Sequence, residues 1–227
     1  MMRTKVDQLW FKRCCAFHLQ LFPDHETVSK LCALQDHIEG ECNGSLLRVP
    51  ATSLHMTVVT LIDAAAQFSM PNDEVWKLNG ERWKETVERL VRQTPPIDLS
   101  FQEVQASEAA IFVKAPEPPE LQRLRSAVSD AIWFEDWRPK PPRIAHITLF
   151  RFSAEEQLPA LPGDAGLLPI EGNVNALQLV KEKIYPSVEV DVLGLPSCLG
   201  TSASTPGSIQ TERAPRQSLC NIELIFR

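Results

Sequence analysis

The segment Leu54–Leu61 reads LHMTVVTL, and the segment Ile144–Phe152 reads IAHITLFRF. Both are short and rich in β-branched and other apolar residues, which is typical of strands. Each contains a His-x-Thr pair: His55 with Thr57, and His146 with Thr148. Residues two apart in a strand point to the same side. The sequence therefore predicts two strands that each present an imidazole and a hydroxyl side by side.

A strand and a helix precede the first of these strands. Cys15–Leu21 alternates between two faces, as expected for a half-buried strand. His18 and Gln20 share one face; His18 could line a cleft, although a surface or packed histidine is the simpler interpretation. Asp24 is the predicted N-cap of the helix, which Gly40 ends. The helical stripe has one non-apolar exception, Gln35, among its four positions: Val28, Leu31, Gln35 and Ile38.

The same order of elements precedes the second His-x-Thr strand. Ala109–Lys114 predicts a strand, and Pro118-Pro119 opens a helix, because proline is tolerated in a first helical turn. A proline-rich basic loop, Arg138–Arg143, leads from this helix into the strand. Two units, residues 15–61 and 109–152, therefore share the order strand, helix, strand, without a residue-by-residue repeat.

The remaining segments complete the predicted fold. A helical stripe runs through Asp73–Gln93, with a candidate break at Asn79-Gly80. Strands are predicted at Ile97–Val104, Val174–Lys181 and Ser187–Leu193, and a loop at Gly163–Gly172. We predict one α+β domain in residues 1–196, with mainly antiparallel sheets and two pseudo-symmetric lobes. Residues 197–218, rich in Ser, Thr, Pro and Gly, predict a flexible linker, and residues 219–227 a C-terminal strand or docking tail.

The composition limits the class of protein. Of the 227 residues, 44% are hydrophobic and 23% are charged, as in ordinary globular domains. The net charge of −6 argues against a generic nucleic-acid coat protein and against a binder of anionic membranes. No apolar run is long enough for a transmembrane helix, and the N-terminal segment is a poor secretory signal. We therefore expect a cytoplasmic monomer with reduced cysteines.

Two His-x-Thr strands that lie near each other would suit phosphodiester cleavage. One imidazole can take a proton from water while the other donates a proton to the leaving alkoxide, since histidine titrates near neutral pH. The threonine hydroxyls can donate hydrogen bonds to the phosphate oxygens, where charge develops. This chemistry requires no metal and no cofactor. A third pair, His25 with Thr27, lies in a predicted helix, where residues two apart do not share a face.

The stretches SLHMTVVTL and AHITLFRF resemble the two His-x-Thr motifs of the 2H phosphoesterase superfamily. Its members include bacterial 2′-5′ RNA ligase-like proteins and 2′,3′-cyclic nucleotide phosphodiesterases. The resemblance covers residues 12–195, although only the motifs are specific. It implies a bilobal fold with helices outside and a central cleft, where His55 and His146 are catalytic and Thr57 and Thr148 bind the substrate. The implied reaction is hydrolysis of a 2′,3′-cyclic phosphate on a small nucleotide or RNA terminus. The motifs leave both assignments of acid and base open; of the two, we prefer His55 as acid and His146 as base.

Three further residues are candidates for substrate binding. Arg151 matches a basic residue that often follows the second motif in RNA-acting members. Its offset of five from His146 points it away in a regular strand, so a bulge or the strand end must turn it inward. Phe150 shares the parity of His146 and Thr148, and is the best candidate for stacking on a base. Tyr185 lies either at the cleft rim, as in relatives, or in a packing position at a strand end.

Other interpretations of these residues stay open. The basic side chains of the loop, Arg138, Lys140 and Arg143, either steer a phosphate toward His146 or are simply solvated. A nucleotide- or RNA-binding module with little turnover would show the same motifs. In a protein-interaction domain, the His-x-Thr pairs would be accidental and lie far apart.

Overall fold

The computed structural model describes residues 2–174, 176–194 and 197–200. The described helices are α1 (His25–Glu41), α2 (Asn72–Arg92) and α3 (Pro119–Ala131). The described strands are β1 (Arg13–Leu21), β2 (Leu46–Arg48), β3 (Met56–Ile62), β4 (Ile97–Phe101), β5 (Glu103–Ala106), β6 (Ala110–Ala115), β7 (Ala145–Phe152), β8 (Ile170–Val174), β9 (Ala176–Ile184), β10 (Glu189–Val192) and β11 (Ser197–Cys198). A 3-10 turn, Ala51–Ser53, lies just before β3.

The strands form two main sheets. One has the order β10-β9-β1-β3, with β11 also paired to β9, and the other has the order β2-β7-β6-β5. Strands β4 and β8 form a separate ribbon, and all these pairs are antiparallel. The predicted α+β class with antiparallel sheets is confirmed. Strands β3 and β7 contact each other although they belong to different sheets, so the two His-x-Thr strands meet at the seam.

Helix α1 begins where the sequence predicts. The Asp24 carboxylate accepts a hydrogen bond from the Thr27 N–H at 2.7 Å, which satisfies one of the free donors of the first turn. The inner face of the helix is buried in the core, through Leu31, Leu34 and Ile38. Gln35 lies on the same buried face and is fully enclosed.

Helix α2 runs without a break through Asn79-Gly80, contrary to the candidate interruption. A Cβ at Gly80 would lie 2.6 Å from Cε2 of Trp76, so glycine is required there by packing. The Asn79 amide donates to the Val75 carbonyl at 3.1 Å, a bond within the helix. Neither residue acts as a helix breaker here.

Several strand boundaries differ from the predictions. The predicted strand Ile97–Val104 is divided into β4 and β5 at Gln102, whose N–H donates to the Lys114 carbonyl. Strand β8 occupies the end of the predicted loop Gly163–Gly172, because it pairs with β4 over its whole length. Such pairing joins segments distant in the chain, which local sequence patterns do not report.

The C-terminal boundary also differs. Ser197–Cys198, in the predicted linker, pairs with β9, and Leu199 is buried. The Gly200 N–H donates to the Thr94 carbonyl at 2.9 Å, and a Cβ at Gly200 would collide with the Arg92 carbonyl oxygen. The domain therefore continues to residue 200. The rest of the predicted linker, residues 201–218, and the predicted strand or tail, residues 219–227, lie outside the described residues.

Two further predictions concern the state of the cysteines and membrane-spanning helices. The side chains of Cys14, Cys15, Cys32 and Cys42 are free thiols. Among the helices of the described ranges, none combines the length and apolar character needed to cross a bilayer.

Candidate active site

The two His-x-Thr pairs line one cavity of about 110 Å³ at the seam between the sheets. The cavity is lined by polar side chains with few apolar ones: His18, Gln20, Val49, Ser53, His55, Thr57, His146, Thr148, Arg151, Glu182, Tyr185 and Pro186. Imidazoles and hydroxyls from two strands far apart in the chain therefore surround one space. Such convergence of polar groups in a concavity marks the default binding-site hypothesis.

His55 lies directly before β3, two residues after the 3-10 turn Ala51–Ser53. Its Nδ1 lies 2.8 Å from the Ser53 carbonyl oxygen. Because a carbonyl only accepts, Nδ1 carries a proton and Nε2 remains as the nitrogen that can exchange one. The turn thus fixes both the tautomer and the orientation of the ring.

His146 lies inside β7 and repeats this arrangement. Its Nδ1 lies 3.3 Å from the carbonyl oxygen of Ile144, again two residues earlier. The ring of Phe112 packs edge-on against the imidazole, with centroids 5.3 Å apart. Both histidines therefore direct the same nitrogen to the backbone and keep Nε2 for chemistry.

The environment disfavours the charged form of both imidazoles. Burial lowers the pKa of His55 to about 4. Burial also lowers the pKa of His146, and the positive charges of Arg151 and Arg125 lower it further. An anion bound in the cavity would act in the opposite direction, since a nearby negative charge favours imidazolium. Protonation of this site is therefore linked to the occupancy of the cavity by an anion.

A β-bulge turns Arg151 into the cavity. Strand β6 pairs Phe112 with Thr148 and Ile111 with Phe150, so Leu149 is an extra residue on β7. An extra residue in one strand moves every later side chain of that strand to the opposite face of the sheet. Arg151 therefore returns to the face of Thr148 and lines the cavity.

The same bulge corrects the prediction for Phe150. Its side chain is fully buried in the core, on the opposite face from Thr148. The parity argument for base stacking is wrong, because it assumed a regular strand. Tyr185 does line the cavity, and its ring lies beneath the Arg151 guanidinium at 5.6 Å. Burial raises the pKa of Tyr185, so its hydroxyl stays protonated.

The chain is similar to known proteins in its sequence and in its structure. The family model of the 2′-5′ RNA ligase superfamily matches residues 22–183. The chain belongs to this superfamily. The 2H phosphoesterase assignment made from the motifs is thereby confirmed, and membership indicates a protein of phosphoesterase or ligase type. No curated protein matches the chain significantly.

Solved structures of other proteins share the fold of this superfamily member. TT0787 of Thermus thermophilus is 20% identical, with a TM-score of 0.59 over 82% of this chain and 99% of that one. E. coli LigT in complex with phosphate is 17% identical, with a TM-score of 0.56 over 84% of this chain and 100% of LigT. The LigT complex with 3′-AMP is 16% identical, with a TM-score of 0.54 over 83% and 99% of the two chains.

The cavity of this superfamily member also contains a buried contact between a histidine and a carboxylate. His18 Nε2 lies 3.3 Å from Oε2 of Glu182, and His18 Nδ1 lies 3.1 Å from Oγ1 of Thr60. Burial raises the pKa of Glu182. The hydrogen bond and the charge of His18, together with the hydrogen bond from the Ser187 N–H, outweigh burial and lower this pKa overall. The alternation of β1 indicated that His18 and Gln20 share a face. Glu182 carried no local signal, because only the pairing of β1 with β9 brings it there.

The basic loop of this superfamily member does not form the cavity wall. Arg138, Lys140 and Arg143 are absent from the side chains that line it. Arg143 instead lines a separate depression with Lys114. Within the described residues, the cation that lines the cavity is Arg151, apart from whatever charge the histidines carry.

Proposed function

We propose that this chain hydrolyses a 2′,3′-cyclic phosphate, on a small nucleotide or an RNA terminus, by general acid–base catalysis with two histidines. The observation that carries the proposal is the convergence of both His-x-Thr pairs on one cavity, with Nδ1 of each ring held by a backbone carbonyl. This is the arrangement that leaves two Nε2 atoms for opposite proton transfers to one phosphate.

In the proposed reaction, His146 Nε2 accepts a proton from water as the water oxygen attacks phosphorus. His55 Nε2 donates its proton to the ribose 3′ oxygen as the P–O3′ bond breaks, which leaves a 2′-phosphate. The hydroxyls of Thr57 and Thr148 and the guanidinium of Arg151 donate to the non-bridging oxygens, where negative charge increases. The Arg151 contact adds charge that the threonines lack.

The proton that His55 donates must be bound first. Because burial lowers the pKa of His55 to about 4, this ring is neutral at pH 7 unless a neighbouring negative charge raises its pKa. The negative charge of a bound phosphodiester raises the pKa of a neighbouring imidazole. Substrate binding therefore accompanies protonation of the site, and turnover is expected to favour mildly acidic conditions.

The size of the cavity supports a phosphate-centred site. Pockets that enclose a drug-sized ligand measure roughly 300–1,000 Å³, whereas this cavity measures about 110 Å³. It is small enough that a nucleotide would place its phosphate inside and its base outside. The LigT structures in complex with phosphate, 3′-AMP and ATP support a nucleotide as the class of substrate.

A second candidate function is nucleotide binding with little turnover. The lowered pKa values of both histidines favour it, because a site with two neutral imidazoles can hold a phosphate without supplying an acid. Tight binding of AMP or a short RNA to the wild-type protein, with no product from any cyclic phosphate, would select this function.

The test is a substrate panel with the wild-type chain. It contains 2′,3′-cyclic AMP, CMP, GMP and UMP and an RNA oligonucleotide with a 2′,3′-cyclic phosphate end, each with and without EDTA. The proposal predicts 2′-phosphate products whose rate of formation EDTA does not change. No hydrolysis of any member would contradict the proposal, and a rate abolished by EDTA and restored by a divalent metal would contradict the metal-independent mechanism.

A further inference from the structure

A buried arginine lies behind the cavity, outside the lining side chains. Arg125 belongs to α3, and its side chain is only 3% exposed. Its Nη1 pairs with Oε1 of Glu117 at 2.6 Å. The rest of the guanidinium donates to the backbone: Nε to the Val58 carbonyl at 3.0 Å, and Nη2 to the carbonyls of Thr57 at 3.1 Å and Ile144 at 3.3 Å.

These carbonyls belong to the two catalytic strands. Thr57 and Val58 lie in β3, just after His55, whereas Ile144 immediately precedes β7. The Ile144 carbonyl is also the one that fixes the His146 ring. Strands β3 and β7 share no ladder of hydrogen bonds in the described sheets. One guanidinium therefore bridges the two halves of the site directly.

Val58 is itself a bulge. Strand β1 pairs Gln20 with Thr57 and Leu19 with Val59, so Val58 is an extra residue on β3. This bulge lies one residue after the motif threonine, as the bulge at Leu149 does on β7. A bulge disrupts the ladder locally, and a buried carbonyl there needs another donor. Arg125 supplies that donor for Val58.

Gln35 has a similar contact at the other bulge, where the Leu149 carbonyl also accepts a hydrogen bond from the Val49 N–H at 3.0 Å. Its Nε2 donates to the carbonyls of Leu149 and Val49, each at 2.9 Å, and the residue is fully buried. Gln35 lies on α1, in the unit that contains β3, yet it bonds the bulge of β7. Arg125 lies on α3, in the unit that contains β7, yet it bonds the bulge of β3. The two contacts are reciprocal.

We propose that Arg125 and Gln35 are positioning residues, which hold the two bulges in place and set the distance between the His55 and His146 half-sites. This inference rests on the proposed function for its kinetic consequences. Arg125 acts on the spacing of the imidazoles, because it bonds the backbone on both sides. Gln35 acts on the orientation of Arg151, because the bulge at Leu149 turns Arg151 inward.

The two residues are therefore expected to affect different kinetic constants. In Arg125→Lys the charge is kept, but a single ammonium cannot reproduce the planar fork that reaches three carbonyls. A misplacement of reacting groups by about 1 Å can cost about 10²-fold in rate, so kcat is expected to fall by one to two orders of magnitude. In Gln35→Met the volume is kept, and a rise in KM through Arg151 is expected to exceed the fall in kcat.

The control is Val128→Ala. Val128 is fully buried on the same face of α3, one turn after Arg125, and offers no polar side chain. Its variant loses core packing and stability without the carbonyl contacts. All variants are assayed well below their own Tm, with the wild type as reference on the same cyclic nucleotide. A kcat within twofold of wild type for folded Arg125→Lys would overturn the proposal, as would an equal loss in Val128→Ala.

A second readout does not depend on activity. The positive charge of Arg125 lowers the pKa of His146, so Arg125→Met is expected to raise it, and Val128→Ala to leave it unchanged. Titration of the imidazole signals by NMR measures both. If the wild type hydrolyses nothing, the proposed function fails, and this titration still tests the bridge. An unchanged His146 titration in Arg125→Met would contradict it.

Discussion

The two halves of the cavity are built alike but charged differently. Each has a histidine held through Nδ1 by the carbonyl two residues earlier, a threonine two residues later and a bulge after that threonine. In each strand the bulge returns the fifth residue after the histidine to the face of the motif threonine. That residue is the neutral Thr60 in one half and the cationic Arg151 in the other.

The charged neighbours extend this difference. The His55 half contains the carboxylate of Glu182, held by His18, which is in turn bonded to Thr60. The His146 half contains Arg151, whose Nε lies 3.6 Å from Oδ2 of Asp7, and, behind it, Arg125. A carboxylate near an imidazole stabilises its protonated form, whereas arginines disfavour it. In the His55 half the charge of His18 lowers the pKa of His55, and the charge of Glu182 raises it by less. One backbone plan therefore places different charged groups beside its two histidines, and the proposed acid, His55, and the proposed base, His146, lie in these two different environments.

The largest effect is expected from the histidines themselves. His55→Ala and His146→Ala each remove a proton-transfer group, so the rate of cyclic phosphate hydrolysis should fall by about 10²–10⁴-fold in each. His25→Ala is the matched control, since it belongs to the third His-x-Thr pair and is exposed on α1. Steady-state kinetics on one cyclic nucleotide measures all three. Full activity in both motif variants would contradict the roles given to His55 and His146.

The next largest effect is expected from Arg151, the cation that distinguishes the two halves of the cavity. Arg151→Met removes the charge that faces the phosphate, and the loss in kcat/KM is expected to reach about 10²-fold, as for other donors to a developing oxyanion. Arg48→Met is the control, because Arg48 lies on the adjacent strand β2 and pairs instead with Asp36 and Glu39. Equal losses in the two variants would show that general positive charge, and not the Arg151 contact, supports the reaction.

The pH profile tests the shared property of the two halves. The proposed reaction requires one protonated and one neutral imidazole, and the population of that form is greatest between the two pKa values. Because burial lowers the pKa of His55 to about 4 and also lowers that of His146, the maximum of kcat/KM is expected below pH 6.5. Activity should decline as the pH rises through the upper pKa. A maximum above pH 7 would contradict the burial argument.

A smaller effect is expected from the carboxylate of the His55 half. The negative charge of Glu182 raises the pKa of His55 against the larger effects of burial and of His18, which both lower it. Glu182→Gln keeps the shape and removes the charge, so the pKa of His55 should fall further and the acidic limb of the pH profile should move to lower pH. NMR titration of His55 in the two proteins measures the shift, and a higher pKa in the variant would oppose the predicted sign.

The sequence predicted those features that depend on local patterns. The two-residue period placed His55 with Thr57 and His146 with Thr148, and the N-cap of Asp24 located the start of α1. The bulges at Val58 and Leu149 were not predictable, because each depends on register with a partner strand. They decide that Arg151 faces the cavity and that Phe150 does not.

Long-range contacts account for the rest of what the sequence did not reveal. Glu182 meets His18 across 164 positions of the chain. Arg125 resembles a surface arginine of an amphipathic helix, since nothing local indicates that backbone carbonyls of two distant strands enclose it. Gln35 was visible as an exception in a helical stripe, but its acceptors, at Val49 and Leu149, were not.

The most direct test of the central claim is the rate of 2′,3′-cyclic nucleotide hydrolysis by the double variant His55→Ala/His146→Ala, beside the two single variants. Residues that act as a unit on one phosphate are strongly non-additive. Of the two single variants, one has the lower rate, and we expect the rate of the double variant to be at most about threefold below it. Losses that multiply in full would contradict the claim that the two imidazoles act together in one proton-transfer step.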